Sequence, residues 1–246
     1  MTTVQTNRLL TPRDILGGVN GGRLLDVATG GGGFVHFLIE GLDDATEIVG
    51  IDISDASRDA FDEALGDRPN VRFELMDARE LSFPAASFDT VAVSDSLHHF
   101  EDPVVVLREM LRVLKPAGHV IVAEMYRDGQ SPAQLTHVEL HHWAAAINQT
   151  QGIFHRETYP RAELVRLLDS FRLDEVQTFD QADTSHDPKD PDTVAAHEAI
   201  ITRYLALAVG HKNLERRGRA IRRRLKTVGI HGATELVYIG RKSASE

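Results

Sequence analysis

The chain has no cysteine, which excludes disulfides, zinc ribbons, iron–sulfur clusters and any mechanism with a cysteine nucleophile. It is poor in aromatics, with one tryptophan and 6% Phe, Trp and Tyr together. No apolar run approaches the ~18 residues needed to cross a bilayer, and Met1 to Arg8 carries no basic segment leading into an apolar stretch. These absences point to a cytoplasmic protein without a membrane partner. What is present is ordinary for a folded domain: 42% hydrophobic and 26% charged residues, enough to bury a sizeable core. At 246 residues, one domain (1–246) with insertions is expected rather than two complete domains.

Charge is unevenly spread. Between Arg203 and Lys226 there are nine Lys or Arg against one Glu, and 18 against 36 Asp or Glu elsewhere. The acidic body argues against nucleic acid as a partner. On the basic segment Leu214, Gly218, Ile221 and Leu225 form one apolar stripe of a helix whose other faces are rich in arginine. A solvated face with a packing stripe is the plain reading; the sharper ones are a lid attracting an anionic substrate or a patch for nucleic acid or acidic membrane, of which the lack of interleaved aromatics favours the lid.

Apolar runs ending in turn or acidic residues occur at Arg23–Ala28, Glu47–Asp52, Val71–Met76, Phe88–Ser94 and His119–Glu124, separated by segments of helical length. Five parallel strands with crossover helices follow, so the fold class is α/β, doubly wound. Val104 to Leu114 has helical spacing and stops at Lys115-Pro116-Ala117-Gly118. Ser131-Pro132-Ala133-Gln134 reads as a capped helix start, with the helix running to about Ile147. Arg161–Ser170 reads as a further helix, and Phe171–Phe179 and Glu235–Arg241 as two late strands pairing antiparallel. Residues 125–170 and 181–232 are taken as helical cap insertions, the second joined through an acidic, proline-containing linker and expected to be mobile.

The strongest motif is Leu24 to Phe34, a buried strand running through Asp26, Ala28 and Thr29 into Gly30-Gly31-Gly32-Gly33 and then a helix. Glycine lets the backbone turn sharply and press against a ligand, with free helix N–H groups facing it. Strand two ends in Asp52, twenty residues after Gly32, where a carboxylate can accept both ribose hydroxyls. Strand three ends in Asp77-Ala78, suited to the edge of an adenine. Together they point to an adenosine. Val35 stands where the dinucleotide fingerprint wants its third glycine, which weakens a nicotinamide oxidoreductase. Asp26 sits badly beside a pyrophosphate and well near an amino group.

These residues resemble class I S-adenosylmethionine-dependent methyltransferases, in the small-molecule, quinone-biosynthesis-like type 11 group. The resemblance rests on Leu25 to Gly32, Gly50-Ile51-Asp52-Ile53, Met76-Asp77-Ala78, Phe88-Asp89 with Ser94-Asp95-Ser96-Leu97-His98-His99-Phe100, and Leu111 to His119. Ala28 replaces the glycine commonest at its position in the family. The resemblance implies a Rossmann-like seven-stranded sheet with its last strand antiparallel, and S-adenosyl-L-methionine as cofactor. It puts Gly30 and Gly32 against the methionine moiety, Asp52 on the ribose, Ile53 on the adenine face and Asp77 and Ala78 at its edge. Ser94 would lie beside the sulfonium through its backbone, and Asp26 would reach the amino group through water. The Asn/Asp-Pro-Pro-Tyr signature for amide or adenine nitrogens is absent after strand four, which favours a small-molecule acceptor. The competing readings are a non-catalytic S-adenosylmethionine-binding or partner-binding protein and a nicotinamide oxidoreductase. Oligomeric state stays open, a homodimer being one alternative.

Methyl transfer needs no nucleophilic side chain, but a base serves where the acceptor must lose a proton. His98, at the mouth of strand four, is the candidate catalytic group, ahead of His99. His137 and His141 share a helix face four residues apart and could grip a metal with a third ligand from elsewhere, but no His-Glu-x-x-His pattern accompanies them. No metal is expected, and His142 and Trp143 beside them are read as pocket-lining or packing residues.

Overall fold

The computed structural model describes residues 2–4, 10–42 and 44–244. The N-terminal stretch Met1 to Arg8, apart from residues 2–4, therefore lies outside the described residues, as do Asp43 and the last two positions. The central sheet has the order β1-β7-β8-β6-β5-β2-β3-β4. Its strands are β1 (Thr2–Val4), β2 (Gly22–Val27), β3 (Ala45–Asp52), β4 (Val71–Leu75), β5 (Phe88–Ser94), β6 (Leu114–Met125), β7 (Asp174–Gln181) and β8 (Glu235–Arg241). β8 alone runs antiparallel, between β6 and β7. The seven-stranded sheet with an antiparallel last strand is thus present, and β1 extends it at the β7 edge by three parallel residue pairs. Three residues carry no periodic pattern, so this strand has no signature in the sequence.

The helices are α1 (Pro12–Leu16), α2 (Gly33–Gly41), α3 (Ala56–Leu65), α4 (Pro103–Val113), α5 (Pro132–Thr150), α6 (Arg161–Asp169), α7 (Pro191–Leu207) and α8 (Lys212–Val228), with a 3₁₀ turn at Leu97–His99. Among the described residues no helix is long and apolar enough to cross a membrane. Neighbouring strand residues point to opposite faces, and both faces are buried, which is why the parallel strands read as continuous apolar runs. Leu25, Val27, Val91 and Val93 pack with Val106, Leu107 and Met110 of α4 on one face. Leu24, Ile48 and Ile121 pack with Val35 and Leu38 of α2 and Phe61 and Leu65 of α3 on the other.

A third cluster stands apart from the sheet. Leu140, Trp143 and Ile147 of α5 meet Ile201 of α7 and Ile221 and Leu225 of α8. The Trp143 indole Nε1 donates to Leu214 O at 2.8 Å. α5 starts as the sequence predicts, with Ser131 and Gln134 exchanging hydrogen bonds in a capping box, and ends three residues later than expected. α6 does not join this cluster: Leu164 and Leu168 insert into the sheet core, so the segment 125–170 divides between the cap and the sheet-flanking layer. The basic residues of α8 are partly neutralised, Arg222 and Lys226 by Glu198 of α7 and Arg224 by Glu139 of α5.

Candidate functional site

The carboxyl ends of β2, β3, β4 and β5 open on a cavity of about 450 Å³ lined by Ala28, Asp52, Ile53, Met76, Asp77, Ala78, Arg79, Asp95, Ser96, His99, Phe100, Glu101 and Phe154. This is the end of an open α/β sheet where ligands bind. The turn after β2 is built for close approach. Gly30 and Gly32 take positive φ of +51° and +80°, and beside Gly30 there is open space where a side chain would stand. A Cβ on Gly32 would lie 2.5 Å from Leu65 Cδ1, so the turn is pressed onto α3. Ala28 has φ +56° with a side chain to accommodate, a strained choice where glycine would be free.

Asp52 ends β3 with its two oxygens held by Gly30 N at 3.0 Å and Ser54 N at 2.8 Å. Those bonds aim the carboxylate into the cavity and leave lone pairs for a diol. Ile53 follows, a large apolar side chain left 69% exposed on the cavity wall. At the end of β4, Asp77 accepts a paired hydrogen bond from the Arg79 guanidinium, which holds its carboxyl below the usual range. Asp26 and Thr29 lie beneath the turn rather than on the cavity. Asp26 is 1% exposed and accepts from Thr29 Oγ1 at 2.6 Å. Burial raises its pKa to about 7, against the lowering effect of that hydrogen bond.

Ser94 is half-buried behind the cavity, its carbonyl accepting from Ser96 Oγ at 2.6 Å. Of the sequence-derived cofactor residues, Ala28, Asp52, Ile53, Asp77 and Ala78 therefore line the cavity. Asp26, Thr29, Gly32 and Ser94 shape it from behind, and Gly30 faces open space beside it.

His98 is placed differently from the expectation. It is fully buried, with Nδ1 against Glu124 Oε1, while His99 borders the cavity. Successive residues of a 3₁₀ turn point about 120° apart, and here the first histidine turns inward beneath α5 and the second outward. Nor does the basic helix border the cavity: among the described residues none of α7 or α8 lines it. His137 accepts from Ala233 N at 2.9 Å and His142 contacts Thr158 Oγ1 at 2.9 Å, so neither faces the cavity. His141 instead meets His98, His99 and His155.

The sequence reading missed His155, Phe154 and the role of Asp95. The first two sit on the segment after α5, which folds back so that Arg156 N donates to His98 O at 3.0 Å. Asp95, at φ +42°, accepts from Met125 N at 2.9 Å and forms one buried acidic group with Glu124 and Glu235. Burial and mutual repulsion push the carboxyls of Asp95 and Glu235 upward.

Residues 25–122 match the family model described as a methyltransferase domain. Phosphoethanolamine N-methyltransferase 3 of Arabidopsis thaliana is 31% identical over 114 residues, covering 46% of this chain and 23% of that protein. Demethylmenaquinone methyltransferase of Staphylococcus aureus is 36% identical over 104 residues, 42% of this chain and 43% of the relative. The chain thus spans less than half the length of these curated relatives. In fold it resembles the YcgJ protein of Bacillus subtilis, with a TM-score of 0.61 at 18% identity over 92% of this chain and 94% of that one.

Proposed function

We propose that this chain, whose sheet and cofactor turn are those of a class I methyltransferase domain of the type 11 group, transfers a methyl group from S-adenosyl-L-methionine to a small-molecule acceptor. The observation that carries the reading is the cavity, which joins Ala28, Asp52, Ile53, Asp77 and Ala78 at one end to His99, Phe100 and Phe154 at the other. The fit is chemical as well as spatial. Asp52 offers acceptors for two ribose hydroxyls, and Ile53 offers an apolar face for the adenine. Asp77 offers an acceptor for the adenine amino group, and the open space beside Gly30 admits the amino-acid part.

When bound, S-adenosylmethionine supplies an electrophilic methyl on a sulfonium. The protein's part is to hold the reactants in line and keep water out, and most of the rate can come from such positioning. Asp95, Glu101, His99, Phe100 and Phe154 surround the acceptor end. Acidic and aromatic groups together suit a flat or amine-bearing acceptor better than the anionic one that the basic helix suggested. The reading includes a cytoplasmic location, in keeping with the cysteine-free chain.

Calorimetry with S-adenosylmethionine, S-adenosylhomocysteine and NAD should show binding of the first two only. Transfer of labelled methyl to a panel of small amines, phenols and quinols should then find the acceptor class. Tight NAD binding would return the oxidoreductase reading, and cofactor binding without turnover on any acceptor would favour a non-catalytic role.

A further inference from the structure

Beside the cavity, three histidines from separate segments bring their outer ring nitrogens together. His98 comes from the turn after β5, His141 from the middle of α5 and His155 from the returning segment. His141 Nε2 lies 2.9 Å from His98 Nε2 and 2.9 Å from His155 Nε2. With His99 included, one ligand atom from each of the four rings lies within 4.8 Å of every other.

Protons serve this arrangement poorly. A neutral imidazole nitrogen is either one N–H or one lone pair, so His141 Nε2 cannot donate fully to both neighbours. A cation among the three nitrogens would satisfy all of them at once.

The group behind His98 is of the kind that orients a metal-bound histidine. His98 Nδ1 faces Glu124 Oε1, and Glu124 Oε2 is fixed by Ser96 N at 3.1 Å and Leu97 N at 2.9 Å. Burial raises the Glu124 carboxyl to about 8 without a cation; a cation on the rings favours its ionised form, which accepts from Nδ1–H and leaves the His98 Nε2 lone pair directed at the cluster. His155 Nδ1 lies 2.9 Å from Asn148 Nδ2, and an end-for-end turn of that amide presents its oxygen to Nδ1–H instead.

We propose that His98, His141 and His155 bind a divalent transition-metal ion of the zinc class, with a fourth position open toward His99 and the acceptor end of the cavity. Imidazoles alone do not suit calcium or magnesium, which take oxygen, and the absence of thiolates disfavours copper(I). Three protein ligands with one open position is the arrangement of zinc sites that bind a reactant. Tetrahedral zinc spaces its nitrogens about 3.3 Å apart, so the two 2.9 Å separations need open by only a few tenths of an ångström. His99 stacks on His155 with ring centroids 4.0 Å apart and also borders the cavity, linking the two spaces. That the ion holds an acceptor oxygen or nitrogen before the methyl group rests on the methyl-transfer reading; metal binding itself does not.

The test uses the full chain stripped with a chelator and titrated with Zn²⁺ alone by calorimetry, and with Co²⁺ as a spectroscopic probe. One ion per chain is expected, with the visible absorption of tetrahedral nitrogen-ligated Co²⁺. His141→Ala and His155→Ala should each weaken Zn²⁺ at least 100-fold with unchanged circular dichroism, while His186→Ala, outside the cluster, should leave it unchanged. No stoichiometric ion on the unaltered chain, no tetrahedral Co²⁺ spectrum, or an affinity in both cluster variants equal to that of the unaltered chain would overturn the site. The spectrum decides the matter if a variant fails to fold. S-adenosylmethionine titration in parallel separates the two claims, since metal binding without cofactor binding would leave this site standing and remove the methyl-transfer reading.

Discussion

Both side chains of the His98–Glu124 pair are fully buried, and the imidazole Nδ1 rests against the carboxyl Oε1. Glu124 also caps the 3₁₀ turn through Ser96 N and Leu97 N, so one carboxyl sets the backbone of the turn and the tautomer of its first histidine. Glu124→Gln tests the second task while keeping the first. The amide oxygen can still accept the two backbone hydrogens, but its NH₂ then faces Nδ1 and makes that nitrogen an acceptor. The proton moves to Nε2 and blocks the lone pair that faces His141. Zn²⁺ affinity should fall 10–100-fold, as for loss of groups behind metal-bound histidines, with cofactor affinity unchanged. Calorimetry with each ligand checks both.

On the proposed function, Asp52 governs the cofactor half. Asp52→Ala removes the acceptors for the ribose and also releases Gly30 N and Ser54 N. At roughly 1.5–3 kcal/mol for a hydrogen bond to a charged group, the loss of S-adenosylmethionine affinity should be at least tenfold. Binding within a factor of two of the unaltered protein would remove Asp52 from the site.

The cavity lining at the ends of β2, β3 and β4 was legible because its signals are local. A glycine turn, an aspartate at one strand end and an aspartate at the next are each set by residues adjacent in the chain, and the parallel sheet places those ends side by side. The acceptor half was not. Nothing in the sequence around His155 says that the segment after α5 returns to the turn at Leu97–His99, and His98 and His99 are indistinguishable until that contact decides which one is buried. The stripe on α8 was read correctly as packing, but its partner Trp143 lies some 70 residues away, and the lid suggested by the arginines does not reach the cavity. α6 carries the same amphipathic pattern as a cap helix, and only the packing of Leu164 and Leu168 in the core with α4, β6 and β8 shows that it covers the sheet.

Ala28 bears a side chain at φ +56°, where left-handed backbone costs an L-residue roughly 1–2 kcal/mol. Glycine removes that strain and loses part of the gain to the greater freedom of the unfolded chain, by about 0.4–1 kcal/mol. Ala28→Gly should therefore stabilise the ligand-free protein by about 0.5–1 kcal/mol. Urea unfolding measures it, and a destabilised variant would mean that the methyl group packs usefully on the cavity wall.

Asp26 makes stability depend on pH. Its folded pKa of about 7 lies above the ordinary 3.8, so the folded state binds the extra proton. The contribution is fully present below about pH 4 and is lost as pH rises through 7, with a ceiling of about 4 kcal/mol at 1.36 kcal/mol per unit. Asp26→Asn cannot ionise there. The difference in unfolding free energy between the two proteins should move in the variant's favour from pH 4 to 8 and level off above. A difference independent of pH would place the carboxyl in a solvated site.

Gly218 is where α8 crosses α5. A Cβ there would overlap the six-membered ring of Trp143 and stand 2.7 Å from Leu205 Cδ2. Leu205 can turn aside, but the indole is fully buried and tied to Leu214 O, so it cannot retreat without breaking that hydrogen bond. In an exposed helix Gly→Ala would gain about 1 kcal/mol. Here overpacking should outweigh that gain, at roughly 1–3 kcal/mol. Because the α5, α7 and α8 cluster stands apart from the sheet, the cost should appear locally, as faster amide exchange in residues 191–228 with the protection of β2, β3 and β5 unchanged. Equal loss of protection in both regions would show that cap and sheet unfold as one unit. A stabilised Gly218→Ala would show that the two helices have room to separate.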